Sequence, residues 1–477
     1  MDFRKIFNYI PEVTKPEEKK LGFNIKLKWT LIVLAAFFIL ANIPLFGLSN
    51  NALERFEFLA IILGTEFGSI ISLGVGPIVM ASIILQLLVG SGILNIDTTT
   101  VEGKKFFSGI QKILVLFFII FESFVYVMMQ GLQAAPGFTY VVILQLILGG
   151  LAIYYMDGLT TKWGFGSGVS LFIAAGVSWR LITSAFQFVN QQGENCLLNF
   201  SAIPCSGKVL VFFQSIVNRY PWEDLVSPFA AIFATVLIFL MVIWAQSLKV
   251  EVPLSYGRLR GYSVKWPLSF FYTSVIPVIL TAALVANIQL FGGMLENAAA
   301  SCVSECTGMS KFASYFGFLG HFIEGQPISG LAFWIGSTNI LELVIRGGFL
   351  PIYLLQGITH VLFFMFFSTL FAVFWVKTSG MDSKAQAHKI AASGLQVAGF
   401  RQDERVLESI LDRYIMPLTI MGGLAIGLLA SITDLLGALV SGTAILLVIM
   451  IFFQFYQNIV QQHQMDMAPV MKKFVGS

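Results

Sequence analysis

The sequence predicts an all-α membrane protein with ten transmembrane helices, on three observations. Of 477 residues, 57% are hydrophobic and 12% are charged, and the mean hydropathy of +0.82 exceeds that of soluble domains. Ten apolar stretches each reach the ~20 residues that ~30 Å of hydrocarbon requires. If the chain crosses ten times, 23 of its 29 Lys and Arg residues lie on one side. Positive residues favour the cytoplasmic side, which predicts a multi-pass cell-membrane protein with both termini cytoplasmic.

The predicted spans follow one another without a charge run or low-complexity tract that would separate soluble domains. They cover residues 29–48, 70–94, 106–131, 138–158, 166–188, 225–247, 269–291, 349–375, 414–434 and 437–460. Segment 1–28 alternates apolar residues with Arg and Lys, which predicts a helix on the cytoplasmic membrane surface. A signal peptide is the alternative, but the run from Trp29 to Leu48 is too long for one and shows no A-x-A-like site before Ser49.

The second predicted span is too irregular to serve only as a lipid-facing helix. It carries Gly74, Gly76 and Pro77 in its first half, and we expect these residues to bend the helix. Irregular backbone is tolerated in a membrane only against protein or a water-filled cavity. We therefore expect this span to line a cavity or a pore.

Four cysteines fall in the two long loops that the charge count places outside, where disulfides persist. They are Cys196, Cys205, Cys302 and Cys306. Two disulfides with three possible pairings are predicted, and a Cys-only metal site is less favoured because no His lies near.

Catalytic motifs are absent from the sequence. There is no GxxxxGK[ST] loop, and the four His residues are scattered without metal-ligand spacing. The prediction is therefore no enzyme activity, no cofactor and no metal. Glu122 is the one clear ionisable group within a span, which is too few for an ion relay. A secondary transporter of small solutes is the alternative function, and it would need a polar site at mid-membrane.

Two long cytoplasmic loops are basic. Leu248–Pro267 carries Arg258 and Arg260 at what we expect to be a hairpin tip, and Val376–Tyr414 carries Arg401 and Arg405. The charge pattern fits two explanations equally well: a signal for orientation alone, or a docking surface for RNA or an acidic partner.

Five stretches resemble the SecY family of protein-conducting channels, of the archaeal and eukaryotic type, in the family's order. They are LGVGPIVMASIILQLLVGSGI from Leu73, GSGVSLFIAAGVS from Gly166, YGRLRG from Tyr256, SVIPVILTAALVANIQLFG from Ser274 and SGTAILLVIMIFFQFY from Ser441. The resemblance implies two pseudo-symmetric five-helix halves around a central pore. These would be residues 29–190 and 225–460, joined by an external loop at 191–224, with a cytoplasmic tail at 461–477.

The resemblance also implies a function and its sites. The chain would pass unfolded secretory polypeptides outward and release hydrophobic segments sideways into lipid. The implied pore ring is Val75, Val79, Val169, Ile173, Ile279 and Leu447; the implied plug is segment 50–69 with Arg55, Glu57, Phe58, Ile61 and Glu66; and the implied lateral gate carries Gln86, Glu122 and Asn287. Glu122 and Asn287 are expected to satisfy each other when the gate is shut. The implied partners are signal sequences and nascent chains, membrane lipids, small SecE-type (gamma) and beta subunits, and a ribosome or other cytosolic partner docked on Arg258, Arg260, Arg401 and Arg405.

Overall fold

A computed structural model of the full chain shows a bundle of long apolar helices. It describes residues 12–17, 21–51, 53, 64–94, 96, 100–129, 131–190, 194–198, 200, 203–256, 263–273, 275–300, 315–323, 326–392, 395–396 and 404–475. The described segments fall into two halves in chain order. Four of the helices long enough to span a membrane lie in the first half, together with one shorter apolar helix, and five lie in the second.

The elements of the first half, up to the loop at 191–207, are α1 (Phe23–Ala41), β1 (Leu48–Asn51), α2 (Gly76–Gly90), α3 (Val101–Met128), β2 (Leu132–Ala134), α4 (Thr139–Trp163) and α5 (Gly168–Phe186). Strands β1 and β2 form an antiparallel pair. Ser167 caps α5 by accepting from the Ser170 N–H, so the GSGVS stretch starts a helix.

The second half begins with α6 (Lys208–Asn218) and α7 (Trp222–Gln246), then β3 (Lys249–Tyr256), β4 (Ser263–Ser269), α8 (Ile276–Ala300), a 3₁₀ turn (Gly317–Leu319), β5 (His321–Ile323), β6 (Gln326–Ser329), α9 (Leu331–Ile335), α10 (Ile340–Ile345), α11 (Pro351–Ser379), α12 (Ser383–Ala392), β7 (Leu395–Gln396), α13 (Glu404–Leu435) and α14 (Gly442–Val475).

The predicted polytopic helical fold is confirmed, but one predicted span contains a shorter helix than expected. In the part of the chain that the structure describes, nine helices are long and apolar enough to cross a membrane. The remaining predicted span, 70–94, is helical only in α2, whose 15 residues reach roughly 22 Å at ~1.5 Å per residue. Residues 69–75 form turns instead. Pro77 lies in the first turn of α2, where its missing N–H costs nothing, so the predicted proline bend is wrong.

The first span also differs from its prediction. Helix α1 begins at Phe23 and ends at Ala41, so residues 23–28 belong to a span and not to a surface helix. Glu12, ahead of α1, pairs with Lys112 on α3 and lies 2.9 Å from Lys162 Nζ on α4. The hydrogen bond from Lys112 holds the pKa of Glu12 below its ordinary value. These ion pairs therefore hold the N-terminal segment against α3 and α4. Segments 1–11 and 18–20 lie outside the described residues.

One apolar core runs through both halves and includes buried residues of every span. Helix α2 contacts α8 and α11 of the second half, and α14 contacts α5 of the first. Within the second half, α11 and α13 cross closely: a Cβ on Gly423 would lie 2.9 Å from Thr369 Cα. The halves thus share a core along α2, α5, α8 and α14.

Candidate functional site

Six aliphatic residues predicted to form a ring lie where the two halves meet. Val75, Val79, Ile173, Ile279 and Leu447 are each no more than 5% exposed, and Val169 is half-buried against the same core. They are carried by α5, α8, α14 and by α2 with its N-cap, and the contacts of α2 with α8, α8 with α14, and α14 with α5 join these helices in a series. All six residues therefore lie in the apolar core that the two halves share, and their closure into one ring stays a prediction.

The turns ahead of α2 keep their backbone paired in this apolar surrounding. Thr65 Oγ1 donates to the Ile71 carbonyl at 2.7 Å, and Ser72 Oγ accepts from the Gly68 N–H at 2.9 Å. Gly149 of α4 leaves space for the Ile70 carbonyl, which a Cβ there would overlap. The irregular backbone of residues 64–75 therefore lies against protein, and the lining of a pore by this span stays a prediction.

The described ends of the predicted plug segment are packed against the same apolar core. Leu53 is fully buried, and a Cβ on Gly64 would lie 3.5 Å from the backbone nitrogen of Ile173, a ring residue. Glu66 forms an ion pair with Arg180 of α5 at 3.1 Å. Burial raises the pKa of Glu66 above its ordinary value. The other predicted plug residues, Arg55, Glu57, Phe58 and Ile61, lie outside the described residues.

The predicted gate is a seam in which α2 packs against α8 and α11. The ring of Phe374 on α11 covers Gly90 at the end of α2, so closely that a Cβ there would overlap it. On each side of the seam the helices are bonded to their own neighbours: Thr281 of α8 to Ser368 of α11 at 3.3 Å, and Gln111 of α3, as donor, to Ser82 of α2 at 2.8 Å. The seam is closed in this structure.

Three polar side chains are buried in the helices of this seam, but they do not pair as expected. Gln86, Glu122 and Asn287 are 3%, 1% and 3% exposed. Asn287 Nδ2 donates to the Ala283 carbonyl of its own helix, 2.7 Å away. Both carboxylate oxygens of Glu122 and Oε1 of Gln86 have no hydrogen-bond partner among the described residues. The expected pairing of Glu122 with Asn287 is therefore wrong for this closed state.

The two basic loops, predicted separately, form one structure. Strands β3 and β4 make an antiparallel hairpin, as the sequence predicts, and β7 of the second loop pairs with β3 through Ser255 and Tyr256. A small apolar core that includes Leu268, Leu407 and Leu411 lies beneath. We call this unit the basic-loop sheet. Arg405 is exposed in the first turn of α13, whereas Arg258, Arg260 and Arg401 lie outside the described residues.

One of the predicted disulfides is present, between Cys196 and Cys205, whose Cα atoms are 5.3 Å apart. Both cysteines are buried, and Cys302 and Cys306 lie outside the described residues. The part of the chain that the structure describes holds no group of three His, Cys, Asp or Glu residues that could bind a metal ion.

Sequence reasoning missed one buried polar cluster. His360 of α11 lies 3.5 Å from Asp434 of α13, and Asp434 accepts hydrogen bonds from the Thr443 N–H and hydroxyl on α14. His360 Nδ1 lies 2.7 Å from the Ile335 carbonyl. Only the placement of a His and an Asp within apolar spans could have indicated the cluster, because the residues are far apart in sequence.

Comparisons with known proteins agree with this geometry. The family model described as SecY matches residues 69–456. The protein translocase subunit SecY of Methanothermobacter thermautotrophicus is 38% identical, with 99% of this chain and 98% of the relative covered.

Two solved structures are similar over nearly the whole chain. One is a SecY structure with a TM-score of 0.79 and 33% identity, covering 97% of each chain. It is described as showing that the plug domain of SecY stabilises the closed state of the translocation channel and maintains a membrane seal. Sec61 in the canine ribosome-channel complex from the endoplasmic reticulum has a TM-score of 0.75 and 32% identity, again covering 97% of each. The chain belongs to the SecY family.

Proposed function

We propose that this chain, a multi-pass membrane protein and translocase subunit of the SecY family, is a passive channel for unfolded polypeptides. Secretory chains would pass between its two halves, and hydrophobic segments would leave sideways into lipid. The observation that carries the proposal is the burial of six aliphatic residues in the core that the two halves share, because a solute transporter would need a polar site there. As a translocase subunit the chain is not an enzyme.

In this proposal the six ring residues form the seal. A narrow constriction of Val, Ile and Leu side chains disfavours a continuous file of water, and the same side chains can move apart around a passing polypeptide. Segment 50–69 acts as the plug on one side of the seal. Burial of Leu53 and Thr65 and the ion pair between Glu66 and Arg180 support a docked plug in the closed state.

The lateral gate in this proposal is the seam of α2 and α3 with α8 and α11. Buried polar groups without partners weaken the closed seam, since each forfeits hydrogen bonds that it makes with water. Glu122 and Gln86 therefore lower the cost of opening. A signal sequence that inserts here would replace α11 as the neighbour of α2.

We propose the basic-loop sheet as the docking site for a ribosome or another cytosolic partner, through Arg258, Arg260, Arg401 and Arg405. The pairing of β7 with β3 supports this, because it holds both basic loops in one unit. The canine relative is a ribosome-bound channel. Both termini would be cytoplasmic, as the distribution of Lys and Arg suggests, and small SecE-type (gamma) and beta subunits would complete the complex.

The seal is tested by replacing Val79 and Ile279 with Ser and measuring ion conductance in proteoliposomes. We expect the closed channel to leak about tenfold more than the original, because hydroxyl groups support water in the constriction. The matched control replaces Val236 and Ile243 of α7, which are 52% and 41% exposed on the lipid-facing side. If the ring variant leaks no more than this control, the seal is placed wrongly.

Docking is tested by reversing the charge of Arg401 and Arg405 and measuring co-sedimentation with ribosomes. Binding should weaken steeply and become less dependent on salt, because fewer phosphate contacts remain. Reversal of Arg413, which is exposed two turns further along α13, is the control. Equal binding by all variants would contradict the docking proposal.

A further inference from the structure

Helix α6 turns its apolar residues outward and its polar residues inward. Phe213, Ile216 and Val217 are 54%, 50% and 61% exposed, and their spacing of three and four residues puts them on one face. Gln214 and Ser215, on the inward side, are 2% and 1% exposed. A helix on a water-facing surface has the opposite arrangement.

The inward polar face is fixed by hydrogen bonds. Gln214 Nε2 donates to the carbonyls of Phe200 and Ile203, both at 2.7 Å, and its Oε1 accepts from the Cys205 N–H at 3.1 Å. Cys205 is bound in turn to Cys196, which closes the loop that Gln214 holds. Rotating α6 to hide its apolar face would break all three bonds, so the outward stripe is built into the fold.

The apolar stripe continues onto a surface that faces lipid. The ring of Phe212 lies 5.7 Å from that of Phe229, which stacks 6.2 Å from Phe233 on α7. Phe229 and Phe233 are 51% and 58% exposed on a helix that is long and apolar enough to span the membrane. Trp222, 63% exposed, lies where α6 meets α7, a position typical of aromatic residues at a membrane interface.

We propose that α6 and the loop closed by Cys196 and Cys205 form an interfacial element that is embedded in one leaflet and contacts lipid acyl chains. Eleven residues at ~1.5 Å each reach roughly 16 Å, too short to cross, so α6 lies in the plane of the interface. Because α7 leads from α6 to β3, this leaflet is the one opposite the basic-loop sheet. Leu197 and Leu198, 57% and 85% exposed, extend the apolar surface along the loop. The element anchors the connection between the two halves, and it does not depend on what the channel conducts.

The test is photo-crosslinking of the full chain in vesicles of phosphatidylcholine and phosphatidylglycerol, with benzoylphenylalanine at position 217. Phe233 serves as the lipid-facing reference, and Ser206, an exposed polar residue between the disulfide-closed loop and α6, as the water-facing one. We expect the yield of lipid adducts at Val217 to lie within about twofold of Phe233 and about tenfold above Ser206. Position 216, on the same face, should behave like 217.

Two outcomes would overturn the proposal. One is a lipid-adduct yield at Val217 and Ile216 no higher than at Ser206. The other is an adduct with a second protein chain in place of lipid when the same variants are irradiated in native membranes, since the stripe would then be a subunit contact. The exposure of both side chains allows the probe to be placed without disturbing the core.

Discussion

Helix α11 meets two of its neighbours, α13 and α2, in different ways. Against α13 it packs backbone on backbone: a Cβ on Gly427 would lie 2.7 Å from the Phe364 carbonyl oxygen and 2.9 Å from Met365 Cα. Against α2 the contact is a side chain on a glycine, since the Phe374 ring covers Gly90. A ring can rotate away, whereas a backbone can move only with its whole helix. We therefore expect the α11–α13 crossing to be the rigid frame of the second half and the α2–α11 seam to be the contact that opens.

A single added methyl group should lower stability more at the α11–α13 crossing than at the α2–α11 seam. We expect Gly427→Ala to lower the free energy of unfolding by about 1–3 kcal/mol, because the new Cβ displaces backbone atoms of α11. Thermal unfolding in detergent measures the change. Gly176→Ala in α5, where a Cβ meets nothing within 4 Å, is the control, and it should gain about 0.5–1 kcal/mol from reduced chain entropy. Equal effects at both sites would mean that the crossing is not tightly packed.

The seam should become more stable when its unpartnered carboxyl group is removed. We expect Glu122→Leu to raise the free energy of unfolding by about 1–2 kcal/mol, since the buried carboxyl group forfeits hydrogen bonds in the closed state. Translocation of a reporter with a weakly hydrophobic signal should fall in parallel. As a contrast, Gln111→Leu breaks the bond to Ser82 and should destabilise the protein. A loss of stability on replacing Glu122 would show that its carboxylate has a stabilising partner.

The smallest effect on stability is expected at Gly90, the glycine of the seam that corresponds to Gly427 of the α11–α13 crossing. Gly90→Ala should change the free energy of unfolding by no more than about 1 kcal/mol, because Phe374 can rotate to accommodate the Cβ. Displacement of the ring loosens the seam, so the weak-signal reporter should translocate more efficiently than in the original chain. A cost as large as that of Gly427→Ala would remove the distinction between seam and frame.

Several features of the site followed from the sequence because they depend on one short segment at a time. The burial of Glu122 within a span, the start of the fifth span in the GSGVS stretch and the hairpin of β3 and β4 each depend on residues close together in the chain. The pairing expected between Glu122 and Asn287 failed for the opposite reason. It required the rotations of α3 and α8 about their axes, which hydropathy leaves undetermined.

The sequence by itself determined the polytopic helical class and its order of spans, because hydrophobicity and charge are properties of local stretches. Only the tertiary structure decided that residues 69–75 leave the helix, that β7 joins the two basic loops, and that His360 meets Asp434. It also decided that α6 presents its apolar face outward and its polar face inward. Gln214 fixes this orientation through bonds to a disulfide-closed loop. These features depend on contacts between segments distant in the chain, where many alternative partners satisfy the same local pattern.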